Sequence, residues 1–301
     1  MKLEPITASD PSDELSDAAF IKIAAFMQQR TGINLDRGSR RIVYSRLQRH
    51  VKRSGAGNFD KYIDLVTSGN SCEEVQNAIS ALTTNTTKFC REAEHFKIFE
   101  NEVAPVIVRA VRSGERVRLW SAACSSGEEP YTLAASLLRA FPEAPRHDIR
   151  ILATDIDQTV LKRAQAAEYV RPPTSLVSED LAELMFDPID GSEDRVRIRK
   201  PLRDLVTVRY LNFFDPWPVS GPFHAIFCRN AAIYMDASAQ ATLWAGLTRV
   251  LHADGTLFIG HSERLTPELN ASFTQIGRNA FRPASSAVRT VRNDNQNDRR
   301  Q

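Results

Sequence analysis

Between residues 14 and 84 the apolar positions recur at helical spacing, with no strand-like alternation. Ala19, Ile23 and Phe26 share one helical face, and Gly32 is placed to end that helix. A second helix is predicted from about Asp36 to Arg53, with Ile42, Leu47 and Val51 facing inward and Gly55, Gly57 and Asn58 breaking it. Phe59, Tyr62, Leu65 and Val66 mark a third, closed by Gly69. Ser71-Cys72-Glu73-Glu74 reads as a capping box that opens a fourth, with Val75, Ile79 and Leu82 inside. The pattern predicts a small all-helical N-terminal domain over 14–84, preceded by a polar, Pro-punctuated flexible leader over 1–13.

Beyond about Glu100 short β-rich runs alternate with helical stretches. Val117–Ser121 precedes Glu129–Phe141, and Ile149–Thr154 precedes Gln158–Ala167. Leu205–Tyr210, Phe223–Cys228, a helix near Ser238–Leu251, and Thr256–Gly260 follow. Strands alternating with helices predict an α/β domain with a mostly parallel sheet covered on both faces. Such sheets bind ligands beyond the carboxyl ends of their strands, so the residues just after each strand carry the information. Between Glu168 and Arg203 the alternation stalls at Pro172, Pro173, Pro188 and Pro201, while Arg195-Val196-Arg197-Ile198-Arg199 alternates like a strand with one exposed face. A small inserted subdomain is predicted at about 168–205, within a second domain over 85–282. The Arg-, Asn-, Asp- and Gln-rich stretch over 283–301 is predicted to be a disordered tail.

The 301 residues suit about two domains, and 42% hydrophobic with 25% charged residues is an ordinary globular balance. With 39 Lys and Arg against 37 Asp and Glu, the formal net charge is +2, so any basic surface is local and nucleic acid is not expected as a partner. No apolar run approaches the ~20 residues of a membrane helix, so no membrane insertion is expected. The N-terminus lacks the basic-then-apolar layout of a signal peptide. Cys72, Cys90, Cys124 and Cys228 lie far apart with no C-x-x-C pair; we expect no metal site, a reducing, cytoplasmic location, and cysteines acting as apolar fillers. A monomer is the default expectation.

The first strand runs into Ala122-Ala123-Cys124-Ser125-Ser126-Gly127-Glu128-Glu129-Pro130, a small-residue loop that lets a ligand approach the backbone. It contains neither G-x-G-x-x-G nor G-K-[ST], which removes the main support for dinucleotide or P-loop binding. Instead two carboxylates open the helix. They fit ordinary capping, or pairing with a cationic ligand group such as an α-ammonium. The second strand ends in Asp155-Ile156-Asp157. Asp157 fits the N-cap of the next helix, leaving Asp155, whose two oxygens can accept both hydroxyls of a ribose. A ribose acceptor without a pyrophosphate loop points to an unphosphorylated nucleoside, and S-adenosylmethionine fits.

The run Leu82-Thr83-Thr84-Asn85-Thr86-Thr87-Lys88-Phe89-Cys90-Arg91-Glu92-Ala93-Glu94-His95-Phe96 closely resembles the signature of the chemotaxis receptor glutamate methyltransferases, the CheR family. So do Trp120–Tyr131, Ala153–Asp157, Phe227-Cys228-Arg229-Asn230-Ala231-Ala232-Ile233-Tyr234-Met235-Asp236 and Gly260-His261-Ser262-Glu263, in family order, within a resemblance spanning about 14–282. It implies a helical N-terminal domain, a Rossmann-like class I S-adenosylmethionine-dependent methyltransferase domain, and an antiparallel β-insert. Carried over by motif, Asn85, Thr87 and Arg91 reach the cofactor pocket, Glu129 holds the cofactor's amino group, and Asp155 takes the ribose hydroxyls. Asn212 and Phe213 flank the adenine, Arg229 and Asn230 line the cofactor, and Arg91 and Tyr234 look towards the substrate glutamate and the methyl. The chain departs from the usual pattern at Cys90 and Met235, both apolar swaps at packing positions.

The implied activity is methyl transfer from S-adenosylmethionine to receptor glutamates, giving γ-methyl esters and S-adenosylhomocysteine. A glutamate is already anionic at pH 7, so no general base is needed, which agrees with the lack of a convincing catalytic histidine; His95 and His261 are read as structural. Arg46, Arg49 and Arg53 fall at i, i+3, i+7, on one face. That face is either simply solvated or a docking surface for an acidic partner, and it resembles the family's reading surface for the receptor's helical bundle. A single glycine, Gly191, in the presumed loop of the insert leans towards docking without a receptor C-terminal tether. The competing readings are a methyltransferase for another protein or RNA, and a cofactor-binding regulatory or adaptor protein without turnover.

Overall fold

The computed structural model describes residues 15–284. The leader proposed over 1–13 and nearly all of the proposed tail lie outside them. The tail's first two residues do not: Pro283 closes the last strand, and the Ala284 N–H donates to Ser272 O at 2.9 Å. The chain divides into two compact units: residues up to Thr84 with Tyr234–Asp236, and Asn85–Ile233 with the residues from Ala237 onward.

The first unit is helical. Ser16 caps α1 (Asp17–Thr31), its Oγ accepting from the N–H of Ala19 at 3.1 Å, and Gly32 ends the helix with φ 72°. Phe20, Ile23 and Met27 form the buried stripe, and Phe26 is only half-buried. The second helix does not start at Asp36. Asp36 caps a single 3₁₀ turn, Arg37–Ser39, and α2 spans Arg40–Ser54. Its buried positions are Val43, Tyr44, Leu47, His50 and Val51, whereas Ile42, expected inside, is 51% exposed. Val43, Leu47 and Val51 follow i, i+4, i+8, and Ile42 lies one residue, about 100°, off that line. Asn58 caps α3 (Phe59–Thr67) and Ser71 caps α4 (Cys72–Leu82). The box at Ser71 is only half made: its Oγ accepts from the Glu74 N–H at 3.3 Å, while the Glu74 carboxylate accepts from the buried Tyr62 hydroxyl at 3.0 Å. Tyr234–Asp236 join this unit through Asn34 N–H to Tyr234 O at 2.8 Å and Gln28 Nε2 to Asp236 Oδ2 at 2.7 Å.

The second unit opens with one continuous helix: α5 (Ala93–Ile98), a π-turn over Phe99–Val103, and α6 (Ala104–Arg112). Across the π-turn the Ala104 N–H donates to Phe99 O, one residue further back than in an α-helix. Pro105, which has no N–H to give, follows at once.

Then come β1 (Val117–Ala122), α7 (Glu128–Ala140), β2 (Ile149–Asp155), α8 (Gln158–Ala166), β3 (Glu168–Val170), α9 (Glu179–Met185), β4 (Phe186–Ile189), β5 (Ser192–Ile198), α10 (Lys200–Leu205) and β6 (Val206–Tyr210). The chain continues with β7 (Phe223–Cys228), α11 (Ala237–Val250), β8 (Leu251–Ile259), α12 (Pro267–Ala271), β9 (Phe273–Gly277) and β10 (Ala280–Pro283). Seven strands form one sheet in the order β6-β2-β1-β7-β8-β10-β9, parallel except for β10 with its neighbours β8 and β9. The other three make a small antiparallel sheet, β3-β5-β4, in which Val196 and Ile198 are fully buried and Gly191 turns the β4–β5 hairpin at φ 77°.

From β1 the chain first builds outward through β2 and β6, then returns to place β7 on β1's other side. That reversal makes β1 and β7 the switch point, with a crevice at their carboxyl ends. The loop after β1 reaches it through three positive-φ residues, Ala123, Ser125 and Gly127. Gly127 needs to be glycine: φ is 101°, and a Cβ would lie 2.7 Å from the Tyr169 hydroxyl and 2.9 Å from Ala164 Cβ. Gly127→Ala is expected to destabilise the protein by about 2 kcal/mol or more, read as a fall in the thermal midpoint.

Candidate active site

Five strand ends converge on the crevice. Asp155, the last residue of β2, is buried: Oδ2 accepts from the Ser125 N–H at 2.8 Å and Oδ1 from the Asp157 N–H at 2.9 Å. No lysine or arginine pairs with it among the described residues. Burial pushes its pKa up to about 6, the Asp157 and Ser125 N–H groups only partly opposing. Asp157 caps α8 as expected, Oδ1 accepting from Thr159 N–H at 2.7 Å; its Oδ2 also accepts from Asn85 Nδ2 at 2.6 Å. Asn85 is further pinned by its carbonyl, which accepts from Ser125 Oγ at 2.8 Å.

Glu129 opens α7 beside β1. Its Oε1 accepts from Ser121 Oγ at 2.7 Å and its Oε2 pairs with Arg229 Nη1 at 3.2 Å. Burial raises its pKa, with Arg229 and then the Ser121 hydroxyl pulling the other way. Arg229, the first residue after β7, has a side chain 1% exposed. Its Nη2 lies 3.1 Å from Glu92 Oε2 and donates to Arg91 O at 2.5 Å, and its guanidinium sits 5.5 Å from the centre of the Phe96 ring. The switch point is thus spanned by one desolvated cation between two carboxylates.

Glu92 is the residue that motif reading passed over. Besides Arg229 it accepts from Asn230 Nδ2 at 3.4 Å and lies 3.4 Å from His95 Nδ1 and 3.6 Å from His261 Nε2. Burial raises its pKa, but Arg229, His261, Asn230 and His95 together outweigh burial and leave it lowered. Glu92, His95 and His261 are close enough to hold a metal ion, but Arg229 already supplies the cation there. His95 is buried, held by Nε2 to Arg278 O at 2.9 Å, and burial first of all pushes its pKa down to about 4. Glu263 is a second such residue: wholly internal, it accepts from the N–H groups of Asn230 at 2.9 Å, Ala232 at 2.7 Å and Gly260 at 2.5 Å, tying the loops after β7 and β8 together. Both belong to motif runs legible in the chain, Glu92 in Phe89-Cys90-Arg91-Glu92 and Glu263 in Gly260-His261-Ser262-Glu263.

The remaining expected residues are placed as follows. Asn212, after β6, is buried with Oδ1 accepting from Phe214 N–H at 3.1 Å. Phe213 is half-buried, 6.5 Å between ring centres from Trp120 and 6.0 Å from Trp217. Thr87 is half-buried in the loop beyond Asn85, and the half-buried Arg91 donates from Nη1 to Thr86 O at 2.9 Å. Tyr234, 37% exposed, belongs to the helical unit. There too, Arg46 is half-buried with its guanidinium on the carbonyls of Leu82 at 3.1 Å and Thr83 at 2.9 Å, at the end of α4. Arg49 and Arg53 are exposed. Cys124 and Cys228 are fully buried and burial holds both thiols well above the usual range, so neither is a nucleophile.

Residues 85–281 match the family described as CheR methyltransferase, SAM binding domain, and residues 18–83 the CheR methyltransferase, all-alpha domain. The chain belongs to the CheR methyltransferase family. It is 37% identical over 269 residues to the chemotaxis protein methyltransferase of Escherichia coli K12, covering 89% of this chain and 91% of that one. Identity to the Salmonella typhimurium protein of the same name is 38% over 254 residues, covering 84% and 85%. To the probable chemotaxis protein methyltransferase of Rhizobium etli it is 37% over 252, covering 83% and 94%. The Rossmann-like class I methyltransferase fold, the helical domain and the antiparallel insert read from the CheR resemblance all stand, and S-adenosylmethionine is the cofactor. Among the described residues no helix is long and apolar enough to cross a membrane.

The residues fit that cofactor. The Asp155 carboxylate, with about four acceptor sites, meets only backbone N–H groups and keeps acceptor capacity, and Glu129 offers a buried carboxylate with no phosphate-binding loop beside it. Protonating Asp155 would turn an acceptor into a donor, so affinity should fall as pH drops through about 6. Titration calorimetry with S-adenosylhomocysteine between pH 5 and 8 is expected to show up to about tenfold weakening per unit below that value. Asp155→Asn should bind weakly and with a flat profile.

Proposed function

We propose that this protein transfers the methyl group of S-adenosylmethionine to glutamate side chains of methyl-accepting chemotaxis receptors, forming γ-methyl esters. The observation that supports the reading is the pair of anionic anchors at the switch point, Asp155 and Glu129. The cofactor, when bound, supplies an electrophilic methyl on a sulfonium. Asp155 holds the ribose hydroxyls, Glu129 the amino group, Asn85 and Thr87 the near wall, and Asn212 with Phe213 flank the adenine. Arg229 and Asn230 complete the lining.

The substrate glutamate arrives ionised, its ordinary pKa being near 4.3, so the chain need only orient it and strip its water. Well-made orientation of this kind is worth ~7–11 kcal/mol. We assign the orienting role to Arg91, whose guanidinium is half-exposed and tethered by Thr86 O, which leaves donors free to steer a carboxylate without burying it in an ion pair. Tyr234 is carried over from its motif as the residue shaping the methyl path. His95, kept neutral and internally bonded, is not proposed to take a proton.

Receptor recognition is proposed for the exposed face of α2. Ile42, Arg49 and Arg53 share it at i, i+7, i+11, an exposed apolar residue with two cations, which suits a helical bundle displaying glutamates. Arg46 lies on the same line, but its charge is engaged at the end of α4.

Labelled methyl from S-adenosylmethionine should appear on a chemoreceptor cytoplasmic fragment, be released by mild base, and be lost when the accepting glutamates are glutamine. Base-stable label would overturn the ester; cofactor binding without label across a panel of receptors would favour a regulatory binder. Arg49→Glu with Arg53→Glu is expected to raise KM for the receptor roughly tenfold while leaving S-adenosylhomocysteine affinity unchanged. A matching loss of cofactor affinity would remove the docking assignment.

A further inference from the structure

At the opposite, amino-terminal edge of the same sheet lies a cavity of about 550 Å³ lined by Val106, Arg109, Glu115, His224, His252, Asp254 and Arg282 among others. None of these residues has a part in the crevice. His224, the second residue of β7, is only 4% exposed, and its Nε2 has no hydrogen-bond partner among the described residues. Arg282, on β10, likewise leaves a buried Nε without one. Two buried polar atoms lining one cavity and left unpaired are costly unless something meets them.

A nitrogen of each histidine and an oxygen of Glu115 lie within 4.8 Å of one another, which resembles a cation site. The hydrogen bonds argue otherwise. His224 Nδ1 accepts from the Arg118 N–H at 3.4 Å, and His252 Nδ1 accepts from the Asp254 N–H at 3.1 Å. A neutral imidazole whose Nδ1 is an acceptor carries its proton on Nε2. His224 is neutral at pH 7, since burial and then His252, stacked on it at 4.5 Å, push its pKa down to about 4. Its free atom is therefore an N–H, a donor and not a metal ligand, and Arg282 Nε is always a donor. The cavity thus presents two unpaired donors with Arg109 beside them, and at the same time two acceptors, Glu115 and Asp254.

We propose that this cavity binds a phosphorylated sugar or a nucleotide's ribose phosphate. The phosphate oxygens meet the His224 Nε2–H and the arginines, and the hydroxyls meet Glu115 and Asp254. The acids offset the arginines, so a bare anion gains little from net charge; the cavity also has room for far more than one phosphate group.

The test is calorimetry with ribose 5-phosphate on the full chain, with S-adenosylhomocysteine saturating the crevice. One-to-one binding is expected, weakened at least tenfold by His224→Phe and by Arg282→Met. Inorganic phosphate should bind at least tenfold more weakly than the sugar phosphate. Retained S-adenosylhomocysteine affinity shows that each variant is folded, and Arg282→Met, at a less buried position, keeps the test decisive if His224→Phe is not. No heat up to 10 mM ribose 5-phosphate, binding that both variants leave intact, or inorganic phosphate binding equally well would overturn the proposal. So would tight Zn²⁺ binding that disappears with His224→Phe and His252→Phe.

Discussion

A guanidinium taken almost wholly out of water is the constraint around which the crevice is organised. An isolated buried cation is prohibitively costly, and removing one partner from a buried pair costs about 3–5 kcal/mol. Arg229 is tolerated because Glu92, Glu129, the Arg91 carbonyl and the Phe96 face all meet it. They come from three stretches: Glu129 opens the helix after β1, Phe96 lies in α5, and Arg91 with Glu92 lies in the loop before it. Satisfying one charge therefore fixes three segments against the end of β7.

The carboxylates follow the same logic with different outcomes. Glu92 is lowered because cation and imidazoles outweigh its burial, whereas Glu129 is raised because burial outweighs its arginine. Asp155 has only backbone N–H groups against its burial and is raised to about 6. Glu263 spends its oxygens on three N–H groups of two loops and has a scaffolding part alone. Four acids within one crevice thus differ in availability: Asp155 has spare acceptor capacity, Glu92 and Glu129 hold a cation, and Glu263 is saturated.

Much of this was legible before any coordinates. The strands β1, β2, β6 and β7 fall within a residue of where β-rich runs placed them, because buried parallel strands are nearly continuous apolar segments. Asp155 could be singled out because strand ends face the crevice, whereas choosing Glu129 over Glu128 needed the CheR resemblance. Partners distant in sequence were hidden: nothing in Phe227-Cys228-Arg229 says that Glu92, 137 residues earlier, completes it. Helix phase was the other weak point. A 3₁₀ turn before α2 and a π-turn inside the α5–α6 segment both break a simple 3.6-residue count, so Ile42 was assigned to the wrong face and the long helix was not predicted. The β9–β10 hairpin was missed as well, its short strands carrying weak alternation.

The π-turn has one more consequence. In an ordinary helix, deleting one residue rotates everything beyond it by about 100° and turns half of the buried stripe to solvent. Between Phe96 and Ile107 this segment already carries one residue more than an α-helix needs. Losing a residue within Phe99–Val103 would convert the wide turn to a normal one while both flanking faces kept their direction. The helix leading into β1 therefore has a built-in tolerance for length change, in a position where most helices have none.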